Sequence, residues 1–534
     1  MLKYQGIKYE INCKVTDTTL LEYAKAHIIK KFKLQSCDIS NIFLLKKSID
    51  ARKKAMYILT VGFSCKRDLE SKLLKKYEKD GGLKPHLPSH LEIPRIQENR
   101  HYLVVGMGPA GLFNALILAK SGAKVTLIDR GKKVEERLKD VECFFQTGVL
   151  NKESNVQFGE GGAGTFSDGK LNTGNTTTFT NEVLKIFVEF GANPNILYEA
   201  KPHIGTDELR KIIKNIREEL GRLGVELLFE TKLIEMKEEN YNISTILENK
   251  DKMEKQYHGV VLAIGHSAED TYQMLCNIGV NLRPKAFAIG VRMEHPQSLI
   301  DASLYHDASK FLPPASYKLV THLSNGRAAY SFCMCPGGFV VNASSDDQHL
   351  VVNGMSNSRR DGKNANAAIL VEIKPEDYYQ NSPLDGLKFQ RELENKAYAL
   401  ANNFYAPCQM YKDFKKNIST IQFGSVKPTI QPGYIGCNLY DILPTWLCDN
   451  IQEAILHFDK KMNHYAYDDA VLTAVETRSS SPVQITRDET YQTNIKKIYP
   501  IGEGSGYSGG IITSAVDGIK CALKIIEEVN NGKS

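Results

Sequence analysis

A chain of 534 residues is too long for one hydrophobic core, and a domain size of roughly 100–200 residues points to about three domains. Hydrophobic residues at 42% and charged residues at 24% exclude a disordered or fibrous chain, and the longest apolar runs, near 111–119 and 259–264, fall short of the roughly 18 residues a spanning helix needs. The net charge of +6 is uneven: residues 1–95 hold 20 Lys and Arg against 10 Asp and Glu, a balance of +10 that leaves −4 for the remainder.

The first ten residues carry lysines but no apolar run with a small-residue cleavage site, so a cytosolic protein is expected. Eleven cysteines, an odd number, point to reduced thiols rather than a disulfide framework. The opening region alternates patterns that predict strand 7–15, helix 19–32, strands 39–46 and 55–63, and a charged helix 68–79. These make a small basic α+β domain, 1–97, closed by a Gly-, Pro- and His-rich linker at 81–94.

From Tyr102 the pattern becomes strand, glycine turn, helix, strand, with a further helix 207–223 and strand 225–230, as in a parallel α/β sheet. Past Arg283 short strand-like pieces dominate, at 287–293, 317–321, 339–343 and 349–353. Helical character returns at 441–461, and a strand 498–501 leads into a last helix, 511–529. The expected division is therefore 98–285 for the first part of the α/β domain, 286–470 for a β-rich substrate domain and 471–534 for the return to the α/β domain.

Leu103, Val104 and Val105 read as a buried strand, followed by Gly106-Met107-Gly108-Pro109-Ala110-Gly111 and an apolar helix. Gly106 permits a tight turn, Gly108 lets the backbone approach a pyrophosphate, and Gly111 allows close helix packing. A second strand, 124–128, ends at Asp129, next to Arg130, where a carboxylate can accept hydrogen bonds from ribose hydroxyls and disfavours a 2′-phosphate. The fingerprint alone does not separate FAD from NAD.

Two later strand-to-glycine turns bear on that choice: 260–265, with Ala263 and Gly265, and 499–504, with Gly502 and Glu503, leading to Gly509, Gly510 and Ile511 at a helix start. Together they resemble the FAD-binding superfamily typified by glutathione reductase. In that superfamily the first such strand covers the adenosine half, and the second carries an acid on the ribityl chain, a position matched by Glu503. The positive end of the last helix would then face the flavin pyrimidine ring.

Longer words resemble a narrower family, bacterial proteins described as FAD-dependent dehydrogenases: Gly159-Glu160-Gly161-Gly162-Ala163-Gly164-Thr165-Phe166-Ser167-Asp168-Gly169-Lys170-Leu171, Pro202-His203-Ile204-Gly205-Thr206-Asp207, and Ser331-Phe332-Cys333-Met334-Cys335-Pro336-Gly337-Gly338. Glu476-Thr477-Arg478-Ser479-Ser480-Ser481-Pro482 and Gly502-Glu503-Gly504-Ser505-Gly506-Tyr507-Ser508-Gly509-Gly510 continue the match. Three positions depart from the family pattern: Gln484 stands where a basic residue is usual, and Ser505 and Ser508 replace alanines. The resemblance implies an α/β FAD/NAD(P)-binding (Rossmann-like) domain with a β-rich substrate domain and the small N-terminal α+β domain. It also implies flavin contacts from Gly161, Gly162, Gly164, Thr165, Ser167 and Lys170, and a flavoprotein oxidoreductase, a dehydrogenase or reductase.

Candidate catalytic groups come from the β-rich region that would cover the ring: Arg292 with Glu294 and His295, Glu476 with Arg478, and the pair Cys333 and Cys335. A structural ion pair is the simpler reading of the first two sets, with Arg478 as an alternative anchor for an anionic substrate. On a regular strand both cysteines share a face, so core packing competes with a strained, reducible dithiol. No second fingerprint for NAD(P) is present, so reduction by NAD(P)H would use transient binding at the flavin face. The substrate is expected to be a small molecule, with no membrane partner. A competing reading is RNA or another acidic partner docked on Lys46-Lys47 and Arg52-Lys53-Lys54, and a non-catalytic flavin scaffold is the third.

Overall fold

A computed structural model describes residues 1–88, 90–173 and 177–532, and the chain forms two compact units. The first comprises Met1–Leu91, Lys170–His203 and Ser298–Ala315; the second comprises Glu92–Gly169, Ile204–Gln297 and Ser316–Ser534.

In the first unit an antiparallel sheet runs in the order Asn41–Asp50, Met56–Ser64, Leu2–Glu10, Leu83–Pro85. The helix Asp17–Phe32 starts at a Thr16 cap, whose hydroxyl accepts from Thr19 N at 3.2 Å, and buries Leu20, Ala24, Ile28 and Phe32 against Leu59, Val61 and Phe63. The first strand, Leu2–Glu10, lies five residues earlier than its apolar pattern suggested, and its register shifts between Gln5 and Ile7, at Gly6 with φ +90°. Lys47 is not free for an acidic partner: it pairs with Asp17 at 2.6 Å and Glu199 at 2.7 Å, while Arg52 pairs with Asp50 and Lys54 with Glu10. Residues 170–203 and 298–315 belong to this unit, which therefore does not coincide with 1–97. Within the expected linker Leu83–Pro85 is an edge strand, and residue 89 lies outside the described residues.

The second unit contains a five-stranded parallel sheet in the order Ile498–Pro500, Gly259–Leu262, His101–Val105, Lys124–Ile128, Glu226–Leu228. Leu103, Val104, Val260, Val261 and Leu262 are fully buried, as in a parallel sheet covered on both faces. The helix Ile511–Asn530 packs on Pro109–Ser121; a Cβ on Gly518 would stand 2.2 Å from Ala110 O, so the two helices meet at backbone distance. A three-stranded antiparallel sheet, Lys232–Glu239, Asn242–Glu248 and Lys252–Tyr257, was not foreseen; its first hairpin turns on Asn240 and Tyr241, both at positive φ.

The β-rich part is a seven-stranded sheet in the order Val320–His322, Ala328–Cys335, Asn364–Ile373, Phe287–Pro296, Val471–Glu476, Ala406–Met410, Tyr434–Gly436. Val471–Glu476 is hydrogen-bonded between Phe287–Pro296 and Ala406–Met410, so this sheet runs past the boundary expected at 470. Among the described residues no helix is long and apolar enough to cross a membrane.

Candidate functional site

The strand His101–Val105 delivers Gly106 at φ +105°, where a Cβ would sit 2.3 Å from Ala263 O; a Cβ on Gly111 would sit 1.9 Å from Gly106 O. Both positions are closed by backbone. Gly108 is different: a Cβ there would meet nothing nearer than Gly162 Cα at 3.8 Å, which leaves room for a ligand at the helix start. Gly108 is also the N-cap and supplies no side-chain cap to the first-turn amides. Gly108→Val is therefore expected to keep the fold and lose the dinucleotide, read as flavin content per protein at a melting temperature that matches FAD-stripped wild type. Wild-type flavin content in that variant would sink the assignment of the turn.

Asp129 accepts from Met107 N and from Gly131 N, both at 2.8 Å, and is 7% exposed. The acid at the end of the second strand thus clamps the glycine turn, and each oxygen keeps a further lone pair. Arg130 is engaged elsewhere: it donates to Asp270 at 2.7 Å and stacks 4.5 Å from the Phe158 ring centroid.

The loop from Asn155 to Ser167 is organised by a residue that no motif pointed to. Arg137, on the helix Val134–Thr147, is fully buried and donates to five carbonyls: Asn155 at 2.7 Å, Val156 at 2.9 Å, Gly159 at 3.1 Å, Glu160 at 2.7 Å and Gly162 at 3.0 Å. Burial pulls its guanidinium down to about 10, against the opposing pull of Asp129 and Glu160. The loop's glycines are fitted to their neighbours: a Cβ on Gly161 would lie 2.0 Å from Thr165 Oγ1, one on Gly162 3.0 Å from Gly108 Cα, and one on Gly164 3.0 Å from Ile511 Cγ1. Ser167 donates back to Gly164 O at 2.7 Å. Lys170 belongs to the first unit, where it bridges His203. Asp168 is buried and held by Arg360 at 2.6 Å.

The two later turns close on the fingerprint. Ala263 N donates to Val105 O at 2.8 Å, and a Cβ on Gly504 would lie 2.3 Å from Gly265 O. Tyr272 ties both turns together by donating to Gly504 O at 2.6 Å. A Cβ on Gly502 would lie 2.8 Å from Ala110 Cβ, and the Gly502 amide donates to Asp517 at 2.8 Å, a second acid that sequence reading missed. Glu503 lies 3.3 Å from His266 Nδ1. Gly509 and Gly510, ahead of Ile511, have open space where side chains would be, apart from a distant Thr513 hydroxyl.

In the β-rich sheet, Arg292 is fully buried and pairs bidentately with Glu476 at 2.6 and 3.0 Å. It also donates to Asn366 at 2.7 Å, Asn353 at 3.0 Å and Cys333 O at 2.9 Å, so all its donors face protein. Burial alone would lower its pKa; the adjacent Glu476 reverses that and raises it. Arg478, offered as an anion anchor, is engaged by Glu394 at 2.8 and 2.6 Å and by Ser345 at 2.7 Å. His295 is buried, contacts Tyr465 O through Nε2 at 2.7 Å and is pushed down to about 4, hence neutral.

The cysteine pair does not lie on a regular strand. Phe332 faces Ala368 while Cys335 faces Asn366, a bulge that leaves Cys333 at φ +42° and breaks the alternation behind the shared-face expectation. Cys335 Sγ donates to Cys333 O at 3.2 Å, and among the described residues no cysteine is in a disulfide. Gln484, in place of the family's basic residue, accepts from Arg283 Nε on the paired strand, so the cation comes from the neighbouring strand.

Three features fit a bound dinucleotide: the open cradle at Gly108, the buried Thr165 hydroxyl with no hydrogen-bond partner, and the Nε2 of His266, 7% exposed, which has none either while Nδ1 faces Glu503 at 3.3 Å. Buried polar groups of this kind are rarely left unpaired, so a ligand at the glycine turns accounts for them.

Residues 286–479 match the family described as "FAD-dependent protein, C-terminal domain-like", and residues 8–63 match a domain of unknown function. A protein of Clostridium beijerinckii, described as "Uncharacterized protein", is 43% identical over 533 residues, covering 97% of this chain and 98% of that one. Among solved structures, a variant of the halogenase PltM in complex with FAD aligns over 82% of this chain and 71% of its own, at 11% identity and a TM-score of 0.37. A geranylgeranyl bacteriochlorophyll reductase-like protein of Thermoplasma acidophilum aligns over 82% and 80%, at 12% identity and a TM-score of 0.36. At such scores these two likenesses carry no argument. The chain belongs to one family with the Clostridium beijerinckii protein, its residues 286–479 carry the domain of FAD-dependent proteins, and FAD is its cofactor.

Proposed function

We propose that the protein is a flavoprotein oxidoreductase with the cofactor arrangement of the glutathione-reductase-like superfamily, a dehydrogenase or reductase that passes electrons between FAD and a small organic substrate. The observation that carries this reading is the meeting of three glycine turns, at Gly106, Gly265 and Gly504, at the carboxyl ends of adjacent parallel strands, the place where open α/β sheets bind ligands. Bound there, FAD supplies a two-electron carrier.

The chain's own groups hold and shield it. The first-turn amides at Gly108 and Ala110 would hold the pyrophosphate, Asp129 fixes the turn and would offer its remaining lone pairs to ribose, and the Thr165 hydroxyl would supply a donor inside the loop. Glu503, beside His266, is the acid for the ribityl hydroxyls. Arg292 and Glu476 act through packing, since each occupies the other.

Anaerobic mixing with NADH or NADPH is the test. Bleaching of the flavin absorbance, reversed on adding an electron acceptor, is the expected result, with FAD released intact on denaturation. A flavin that neither pyridine nucleotide reduces and that passes electrons to no acceptor would overturn the dehydrogenase or reductase reading.

A further inference from the structure

The second unit holds a pocket of 370 Å³ that the flavin assignment leaves unused, and that volume lies in the range of small-molecule sites. Its walls are apolar: Phe145 from the helix Val134–Thr147, and Phe339, Val340 and Val341 from the strand Phe339–Asn342. None of these residues belongs to the three glycine turns.

The polar part of the wall is already satisfied. Thr429 gives its hydroxyl proton to Glu294, accepts from Val340 N at 2.9 Å and donates its own amide to Glu294 at 3.1 Å. Glu294 also accepts from Asn364 Nδ2 at 3.3 Å, burial raises its carboxyl to about 7, and it is not itself a lining residue, so its carboxylate is turned to these donors behind the wall. A ligand body resting on this wall gains from burial of hydrocarbon and offers Thr429 nothing it lacks.

Lys363 and Gln431 also line the pocket, and both are exposed. Lys363 forms no ion pair among the described residues, unlike Lys47, Lys132, Lys152 or Lys232. Its backbone origin is fixed: Gly362 N donates to Gly337 O at 2.9 Å, and a Cβ on Gly362 would stand 2.6 Å from that oxygen. A lysine without an ion-pair partner among the described residues thus shares the pocket wall with two aromatic rings. The neighbouring acid on the same turn, Asp361, is not a lining residue.

We propose that this pocket is a binding site for an aromatic carboxylate, with the ring system against Phe145, Phe339 and Val340 and the carboxylate on Lys363. Two unlike contacts set the specificity: the apolar wall selects a flat hydrocarbon body, and one cation selects one negative charge. A phosphate ester or dianion would leave a charge without a partner in this site.

The test is calorimetric titration of the FAD-loaded protein with naphthoate and, in parallel, with the neutral naphthalenemethanol. One naphthoate should bind per chain, at least tenfold tighter than the alcohol, a difference of about 1.4 kcal/mol. Lys363→Met should erase that preference by weakening naphthoate while leaving the alcohol's affinity and the flavin content unchanged. Phe339→Ala should weaken both ligands. Absence of naphthoate binding at millimolar concentration, equal affinity for acid and alcohol in the wild type, or naphthoate binding that is the same in Lys363→Met would each overturn the assignment. The wild-type comparison decides the matter even where a variant folds poorly, and a protein that fails the flavin reduction test yet prefers naphthoate keeps this site independent of the oxidoreductase reading.

Discussion

Arg137→Met is expected to strip FAD from the protein and to destabilise it by roughly 3–5 kcal/mol, one of the largest single-site effects in the molecule. The guanidinium satisfies five backbone carbonyls between Asn155 and Gly162 from a fully buried position. Each carbonyl left unpaired away from water costs about 1–3 kcal/mol, and partial relaxation of the loop keeps the total below the full sum. The loss reaches the cofactor because the same loop places Gly162 against Gly108 and Gly164 against Ile511. Arg137→Lys keeps the charge and replaces a planar fork with three donors at one nitrogen, so it is expected to recover part of the stability and less of the flavin content. Thermal melts with flavin quantitation check both. A methionine variant with full FAD and an unchanged melting temperature would show that the loop holds its shape without Arg137.

The difference between Arg137 and Gly106 shows what the sequence made legible. A glycine fingerprint is local: strand, turn, helix and acid follow one another within thirty residues, and each residue's role follows from backbone geometry. The turns at Gly265 and Gly504 were each legible as glycines after an apolar strand, but their meeting depends on the order of strands in the sheet. Arg137 sits in a charged stretch, Val134–Thr147, that carries no motif, and only the tertiary position of the loop buries it.

The same holds for the acids. Asp129 was legible as the acid after the second strand, yet its engagement with Met107 and Gly131 amides depends on the closed turn. Asp517, which holds Gly502, lies fifteen residues away on a helix with no motif of its own. The boundary at 470 failed because a strand's partners are non-local: 471–476 looks like a lead-in to the last glycine turn but pairs with 287–296 and 406–410. Residues 170–203 and 298–315 joined the first unit for the same reason, with no composition change to mark them.

The last prediction concerns Arg292, which sequence reading offered as a catalytic group. Arg292→Met is expected to cost about 3–5 kcal/mol, because it leaves Glu476, 2% exposed, as an uncompensated buried carboxylate and orphans Asn366 and Asn353. The penalty should grow with pH. Burial already raises the Glu476 carboxyl and Arg292 opposes that rise, so without the guanidinium the folded-state pKa climbs further above the unfolded one. A carboxyl with a raised folded-state pKa binds extra protons when folded, so stability is retained at low pH and lost as pH rises through that pKa. Glu476→Gln in the same chain removes the stranded charge, and the double variant is expected to be more stable than Arg292→Met alone at pH 8, with the two single costs failing to add. Denaturation of the four proteins at acidic and alkaline pH measures this coupling. Additive costs, or an Arg292→Met variant that keeps wild-type stability and FAD while substrate turnover collapses, would return Arg292 from the structural core to the reaction.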